Sequence, residues 1–438
     1  MLFKSSGNKV IDDFITHTQR NYVDDRGKLE VIPYDQFKNI EFIAEGGFSK
    51  VYKATWTDGP INWRDIVGYS FSNWNIARKK NYSVVLKNLD NSKNITPKEL
   101  NELKVFYQIF SNNAVSCIST YLGISQDPIT KDIMIIMPYY SSGDLSHYLS
   151  NEFYNIGWHT KSNRLWEIAL GLFYIHEKNI IHRDLHSGNI FLDDVFAYIG
   201  DLGISKSAIE YTENNDERYG IIPYMAPEIF QGRKYTTASD IYSFGMIMWE
   251  FMTGRRPFWD RIHDTELIIE ICDGLRPPIV TNAPEGYIEL MKECWNSDPN
   301  KRPKATVLRD KMQEIFNIEG KNINPTKIIK SSDIGPVATN NPGAIYKSRH
   351  LSGMIQSAMS TRSLRSQSIT AEVGKRKFED NQAKNCFNED KFIKKIRPIE
   401  TEDNDYITQE FELDIDINYS KKYIDDERYI SQEIDFDI

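Results

Sequence analysis

The stretch His182-Arg183-Asp184-Leu185-His186-Ser187-Gly188-Asn189, followed by Asp201-Leu202-Gly203, decides how this chain is read. It sets an acid and an amide five residues apart in one loop, then a second acid flanked by apolar residues and closed by a glycine. Phosphoryl transfer from a nucleotide needs such parts. One carboxylate orients an attacking hydroxyl, while an amide and a second carboxylate hold the cations that offset phosphate charge. Asp and Asn also stabilise ordinary turns, so the loop alone leaves a purely structural reading open.

Further motifs surround it in a fixed order. Upstream, residues 40–44 and 50–55 alternate like two strands around Glu45-Gly46-Gly47-Phe48-Ser49-Lys50-Val51. A third strand, residues 83–89, carries Val84-Val85-Leu86-Lys87, and Glu102 follows 15 residues after the lysine, on a helical pattern with Glu99 as its rival. Met137-Pro138-Tyr139-Tyr140-Ser141-Ser142-Gly143 then separates strand texture from helical texture. Downstream stand Ala226-Pro227-Glu228, Ser239-Asp240 and Cys294-Trp295 with Arg302-Pro303. In this order the motifs resemble the protein kinase superfamily over about residues 37–316, and the downstream ones are similar to its tyrosine-kinase-like group.

The resemblance implies an α+β, bilobal protein-kinase fold. A small antiparallel-sheet lobe with one regulatory helix (37–138) would precede a larger, mostly helical lobe (139–316). It implies ATP as co-substrate, Mg²⁺ as cofactor and proteins as phosphate acceptors. Asp184 would orient the hydroxyl, and Asn189 and Asp201 would bind Mg²⁺. Lys87 would hold the α/β-phosphates, paired with Glu102 because Leu103 and Phe106 follow it as in the family's helix. Ala44, Gly46, Gly47, Phe48 and Ser49 would cover the nucleotide, and Val51, Val85, Met137 and Phe191 would line its site. The Pro138 carbonyl and the Tyr140 amide would meet adenine. Glu228 paired with Arg302, and Asp240, would have structural roles. Arg183 implies regulation by a phosphate on the segment 201–228, with Thr212 as the acceptor.

The chain also departs from the family pattern. Ala44 and Ser49 stand where the phosphate loop has its first and third glycines, a change worth about 1–2 kcal/mol of nucleotide closure. His186 replaces the lysine common in serine/threonine kinases, Ile221 replaces a threonine, and the tyrosine-kinase element at 186–188 is absent. The group resemblance favours serine/threonine transfer and leaves tyrosine open. The alternative is a catalytically weak or inactive nucleotide-binding scaffold.

Hydrophobic residues at 40% and charged residues at 26% suffice for a folded core. No run of about 18 apolar residues suggests a membrane span, and the first residues lack a signal-peptide pattern. The formal charge of −9 is local, because residues 399–438 carry 14 acidic against 3 basic side chains and leave the rest near neutral. A nucleic-acid partner, which wants a basic face, is not expected. Cys117, Cys272, Cys294 and Cys386 lack metal or redox spacing and read as reduced thiols of a cytoplasmic protein. Lys375-Arg376-Lys377 and Lys394-Lys395-Ile396-Arg397 would serve as a nuclear-import signal or, more simply, as solvated clusters.

Residues 1–36 read as an N-terminal extension with a short amphipathic helix near 9–21, and 56–82 as an insertion whose Trp63, Phe71 and Trp74 suit a partner or their own lobe. Residues 317–438 read as a disordered tail, acidic at its end, with tail-binding proteins as partners.

Overall fold

Ile11 and Ile15 recur at helical spacing, and in the computed structural model of the chain they are buried on one face of α1 (Lys9–Arg20). The structure describes residues 6, 8–20, 28–45, 49–61, 77–93, 100–110, 116–203, 205–207 and 218–365. These all fall within one unit, Met1–Gln367. Phe14 of α1 meets Tyr107 edge-on, so α1 braces the helix that carries Glu102.

The first lobe is a six-stranded sheet. Its strands are β1 (Glu30–Val31), β2 (Phe37–Glu45), β3 (Ser49–Trp56), β4 (Tyr82–Leu89), β5 (Gly123–Gln126) and β6 (Ile133–Pro138), in the order β1-β5-β6-β4-β3-β2. Five are antiparallel, as the resemblance implies. The sixth corrects that picture, because β1 joins β5 in parallel. Gly123 permits it: a Cβ there would sit 2.0 Å from the Glu30 carbonyl oxygen. In the stretch 118–124 only Gly123 and Ile124 belong to the strand. Ser119 N–H instead donates to Ile199 O at 2.7 Å, which ties its approach to the second lobe. Helix α2 (Asn101–Phe110) packs beside the sheet with Leu103 and Phe106 buried. The insertion is closed at its neck by an Ile61–Arg78 bridge, and Arg78 pairs with Glu30 at 2.6 Å. Trp63, Phe71 and Trp74 lie outside the described residues.

The second lobe is helical: α3 (Leu145–Glu152), α4 (Trp158–Glu177), α5 (Pro227–Phe230), α6 (Thr237–Thr253), α7 (Thr265–Cys272), α8 (Tyr287–Cys294) and α9 (Ala305–Lys321). Short strands thread the loops between α4 and α5: β7 (Ile180–Ile181), β8 (Ile190–Leu192), β9 (Ala197–Ile199), β10 (Lys206–Ser207) and β11 (Tyr219–Gly220). Helix α6 is buried from Ser239 to Thr253, as an all-round apolar helix must be. A capping box of Thr236 and Ser239 starts it, and Gly254, at φ +72°, ends it. Among the described residues no helix is long and apolar enough to cross a membrane.

The expected disordered tail needs correction over 317–365. Helix α9 continues to Lys321, and the chain then runs across the helical lobe to β12 (Arg349–His350) and a helix from 352 through 365. Ile334, Leu351, Ile355 and Ala358 enter the core. Backbone bonds pin the run between them, with Gly335 N–H on Thr253 O at 2.7 Å and Asn341 N–H on Trp259 O at 2.9 Å. Such an extended strap needs only isolated apolar anchors, so its sequence shows no period. Residues 366–438, with the acidic block and the basic clusters, lie outside the described residues.

Candidate active site

Lys87 lies on the central strand β4, opposite Val51 of β3 and Ile135 of β6. The strand registers put Ala44, Val51, Val85, Lys87 and Met137 on one sheet face. Lys87 Nζ lies 3.1 and 3.0 Å from the two Glu102 oxygens and 2.8 Å from Asp201 Oδ1. Glu102 is thus the helix partner of the lysine, and Glu99 lies outside the described residues. Burial opposes the lysine's charge, but Asp201 and Glu102 outweigh it and hold the ammonium above its usual range. Asp201 is likewise held below the carboxylate range, because Lys87 outweighs the effect of burial. Glu102 is pushed up by burial and by Asp201, against Lys87 and Tyr121.

Sequence reading passed over Tyr121. Its hydroxyl donates to Glu102 Oε1 at 2.6 Å, and its ring packs on Phe106 at 4.9 Å. The available signal was a phenol inside an apolar run, since a buried Tyr hydroxyl needs a partner.

The loop at 182–189 is braced from below by Asp240 at the start of α6. Its carboxylate accepts from His182 N–H at 2.8 Å and Arg183 N–H at 2.9 Å, and meets His176 Nε2 at 2.8 Å. These bonds help offset the left-handed backbone of Arg183, at φ +73°. Asn189 Nδ2 donates to the Asp184 carbonyl at 3.0 Å, which commits the amide nitrogen and leaves Oδ1 as a ligand. His186 Nδ1 accepts from Gly188 N–H at 3.1 Å. A neutral His186 therefore carries its proton on Nε2, 3.6 Å from Asp184 Oδ2. Ser187 and Tyr224 hydroxyls meet at 3.1 Å, and Tyr224 donates to the buried Glu250 at 2.8 Å. Sequence reading also passed over that link.

At the hinge, Tyr139 N–H donates to Ser83 O at 3.1 Å. Val84 and Pro138 are thus a non-hydrogen-bonded pair, and the Pro138 carbonyl turns away from β4. Met137 is buried at the end of β6. Phe191 of β8 stacks on Tyr140 with centroids 5.6 Å apart and covers Gly200. Ser49 is buried at the start of β3 opposite Leu89, whereas Gly46, Gly47 and Phe48 lie outside the described residues.

Farther out, Arg302 and Glu228 form a buried two-pronged pair at 2.7 and 2.7 Å. The Arg183 guanidinium lies 4.5 Å over the Tyr235 ring, and Arg218 approaches the same ring at 5.9 Å. Thr212 lies outside the described residues. Asn189 Oδ1 and the Asp201 carboxylate, whose side chain is 40% exposed, are hard oxygen donors that fit a divalent cation sharing phosphate oxygens.

The family described as protein tyrosine and serine/threonine kinase matches residues 37–312. The putative serine/threonine-protein kinase/receptor R831 of Acanthamoeba polyphaga mimivirus is 29% identical over 63% of this chain and 15% of its own length. Human receptor-interacting serine/threonine-protein kinase 3 is 27% identical over 67% of this chain and 54% of its own. Stress-activated protein kinase alpha of Dictyostelium discoideum is 28% identical over 70% of this chain and 45% of its own. The chain therefore spans from under a sixth to about half of the length of these relatives.

Proposed function

This chain belongs to the protein tyrosine and serine/threonine kinase family, and on that footing we propose that it transfers the γ-phosphate of Mg·ATP to serine or threonine hydroxyls of proteins. The observation that carries the reading is Lys87 reaching both Glu102 and Asp201, which joins the sheet lobe to the helical lobe at one ammonium. That arrangement aligns a cation for the α/β-phosphates with the carboxylate that holds metal.

Asp184 orients the acceptor hydroxyl and takes its proton, while its backbone is fixed by Asn189 and by the His182 ring. Asn189 Oδ1 and Asp201 would hold Mg²⁺, whose charge would offset that of the phosphates. The Pro138 carbonyl and Tyr140 amide take the adenine edge. His186 Nε2–H supplies a donor beside Asp184, in place of the lysine common at that position.

Serine/threonine preference rests on relatives named as serine/threonine-protein kinases and on the tyrosine-kinase-like resemblance of 223–228. Arg183 and Arg218 on Tyr235 are the cations that a phosphate on the 201–228 segment would neutralise. A positional-scanning peptide array with radiolabelled ATP tests the reading, with Asp184→Ala as control. Label confined to serine and threonine acceptors is expected. Tyrosine labelling would overturn the preference, and labelling no stronger than that of Asp184→Ala would overturn the activity.

A further inference from the structure

The segment after β11 lies directly against the catalytic loop: Ile221, Tyr224 and Met225 line one small cavity with Arg183, Asp184 and Leu185. A strand edge leading to Asp184 is a natural place for an extended peptide to pair, because main-chain bonds hold it and its side chains face alternate pockets. In this chain that edge is taken. Strand β12 pairs antiparallel with β11, with Tyr219 opposite His350 and Gly220 opposite Arg349. Leu351 N–H donates to Arg218 O at 2.7 Å, and Arg218 N–H donates to Ser352 Oγ at 2.9 Å. The Tyr219 and His350 rings meet edge-on at 5.1 Å.

The approach to β12 follows the loop after α6. His263 N–H donates to Gly343 O at 2.9 Å, and Arg349 Nη2 donates to His263 O at 2.8 Å. The Tyr346 hydroxyl donates to Pro257 O at 2.8 Å beneath the Arg256 guanidinium. We propose that residues 341–352 occupy the edge on which an extended peptide substrate docks, so the chain carries a competitor for its own acceptor surface. The term substrate rests on the kinase reading; the occupancy does not.

The occupant indicates the class of peptide that the edge accepts. Residues 346–350 read Tyr-Lys-Ser-Arg-His, an extended basic stretch around a hydroxyl. The β11–β12 ladder is short enough to open while the helix that follows it stays anchored. Only two residues of β12 enter the ladder, whereas Leu351, Ile355 and Ala358 anchor the following helix in the core. The exposed pairs Arg362–Asp273 and Arg365–Glu266 add little holding force.

A cross-strand disulfide tests this. Leu351 N–H reaching Arg218 O makes Tyr219 and His350 a non-hydrogen-bonded pair, the geometry in which Cα atoms approach most closely. The full chain with Tyr219→Cys and His350→Cys would be assayed oxidised with diamide and then reduced, using a basic serine peptide and each single variant as control. Oxidation is expected to raise the peptide KM at least tenfold and leave ATP affinity unchanged, with reduction reversing the effect. Equal peptide kinetics in both forms, or failure to cross-link, would overturn the proposal. Hydrogen exchange at Leu351 in the wild-type chain separates this outcome from failure of the kinase reading. Saturating peptide should accelerate that exchange even where no phosphate is transferred, and unchanged exchange would overturn the occupancy claim.

Discussion

The Tyr121 hydroxyl donates to Glu102 Oε1 at 2.6 Å from inside the core, where Tyr121 is 1% exposed. It thereby fixes the carboxylate that Lys87 meets from the other side. A hydrogen bond to a charged group contributes about 1.5–3 kcal/mol, so its removal should be felt at the nucleotide site.

Tyr121→Phe is accordingly expected to lower kcat/KM for ATP about tenfold, a loss of about 1.4 kcal/mol. The bond favours the ionised carboxylate, so losing it raises Glu102 further. Activity should then decline at a higher pH on acidification than in the wild type. Steady-state ATP kinetics from pH 5.5 to 8.5 check both effects, and an unchanged pH profile would show that the phenol only fills space.

Arg302→Ala should destabilise the fold by about 3–5 kcal/mol, because Glu228 is left charged and buried without its partner. Glu228→Ala should do the same, and the double variant should cost less than the sum of the two. Urea unfolding of the three variants gives the cycle, and simple additivity would mean that the two side chains act independently.

Lys161 of α4 is fully buried, with no hydrogen-bond partner for Nζ among the described residues and the Phe153 ring 3.6 Å away. Burial lowers its pKa to about 7. Between that value and the ordinary lysine range the unfolded chain binds more protons, so this residue makes stability rise with pH across that window. Below it the penalty is fully present. Lys161→Met should therefore raise Tm, and more at pH 6.5 than at pH 9.5. Melting curves at the two pH values decide it, and an equal gain at both would contradict the burial argument.

What the sequence revealed and what it hid have physical causes. The meeting of Lys87 with Glu102 was legible because the motifs that carry the resemblance imply which side chains come together. The change from strand to helical texture after residues 137–143 was legible from the spacing of apolar residues. Strand β1 was not, since its two residues carry no pattern and its pairing depends on a missing Cβ at Gly123. The strap over 322–350 was hidden for a related reason. Its attachment is main-chain bonding, a few side-chain bonds and single anchors such as Ile334 and Leu351, which read as scattered residues in a polar tail. Tyr121 was hidden because nothing near it in the sequence marks Glu102, 19 residues upstream, as the partner of its hydroxyl.

The proposed phosphate-transferring site unites the ammonium of Lys87 with the carboxylates of Asp201 and Asp184. It is tested most directly by single-turnover transfer from γ-labelled ATP to a peptide, with ATP binding measured on the same samples. Measurable transfer by the wild type is expected. Asp184→Asn should retain ATP binding yet lose transfer by at least a hundredfold. Lys87→Met should lose transfer with the Arg302–Glu228 brace and the fold intact. Transfer by Asp184→Asn at the wild-type rate, or none by the wild type while Mg·ATP is bound, would contradict it.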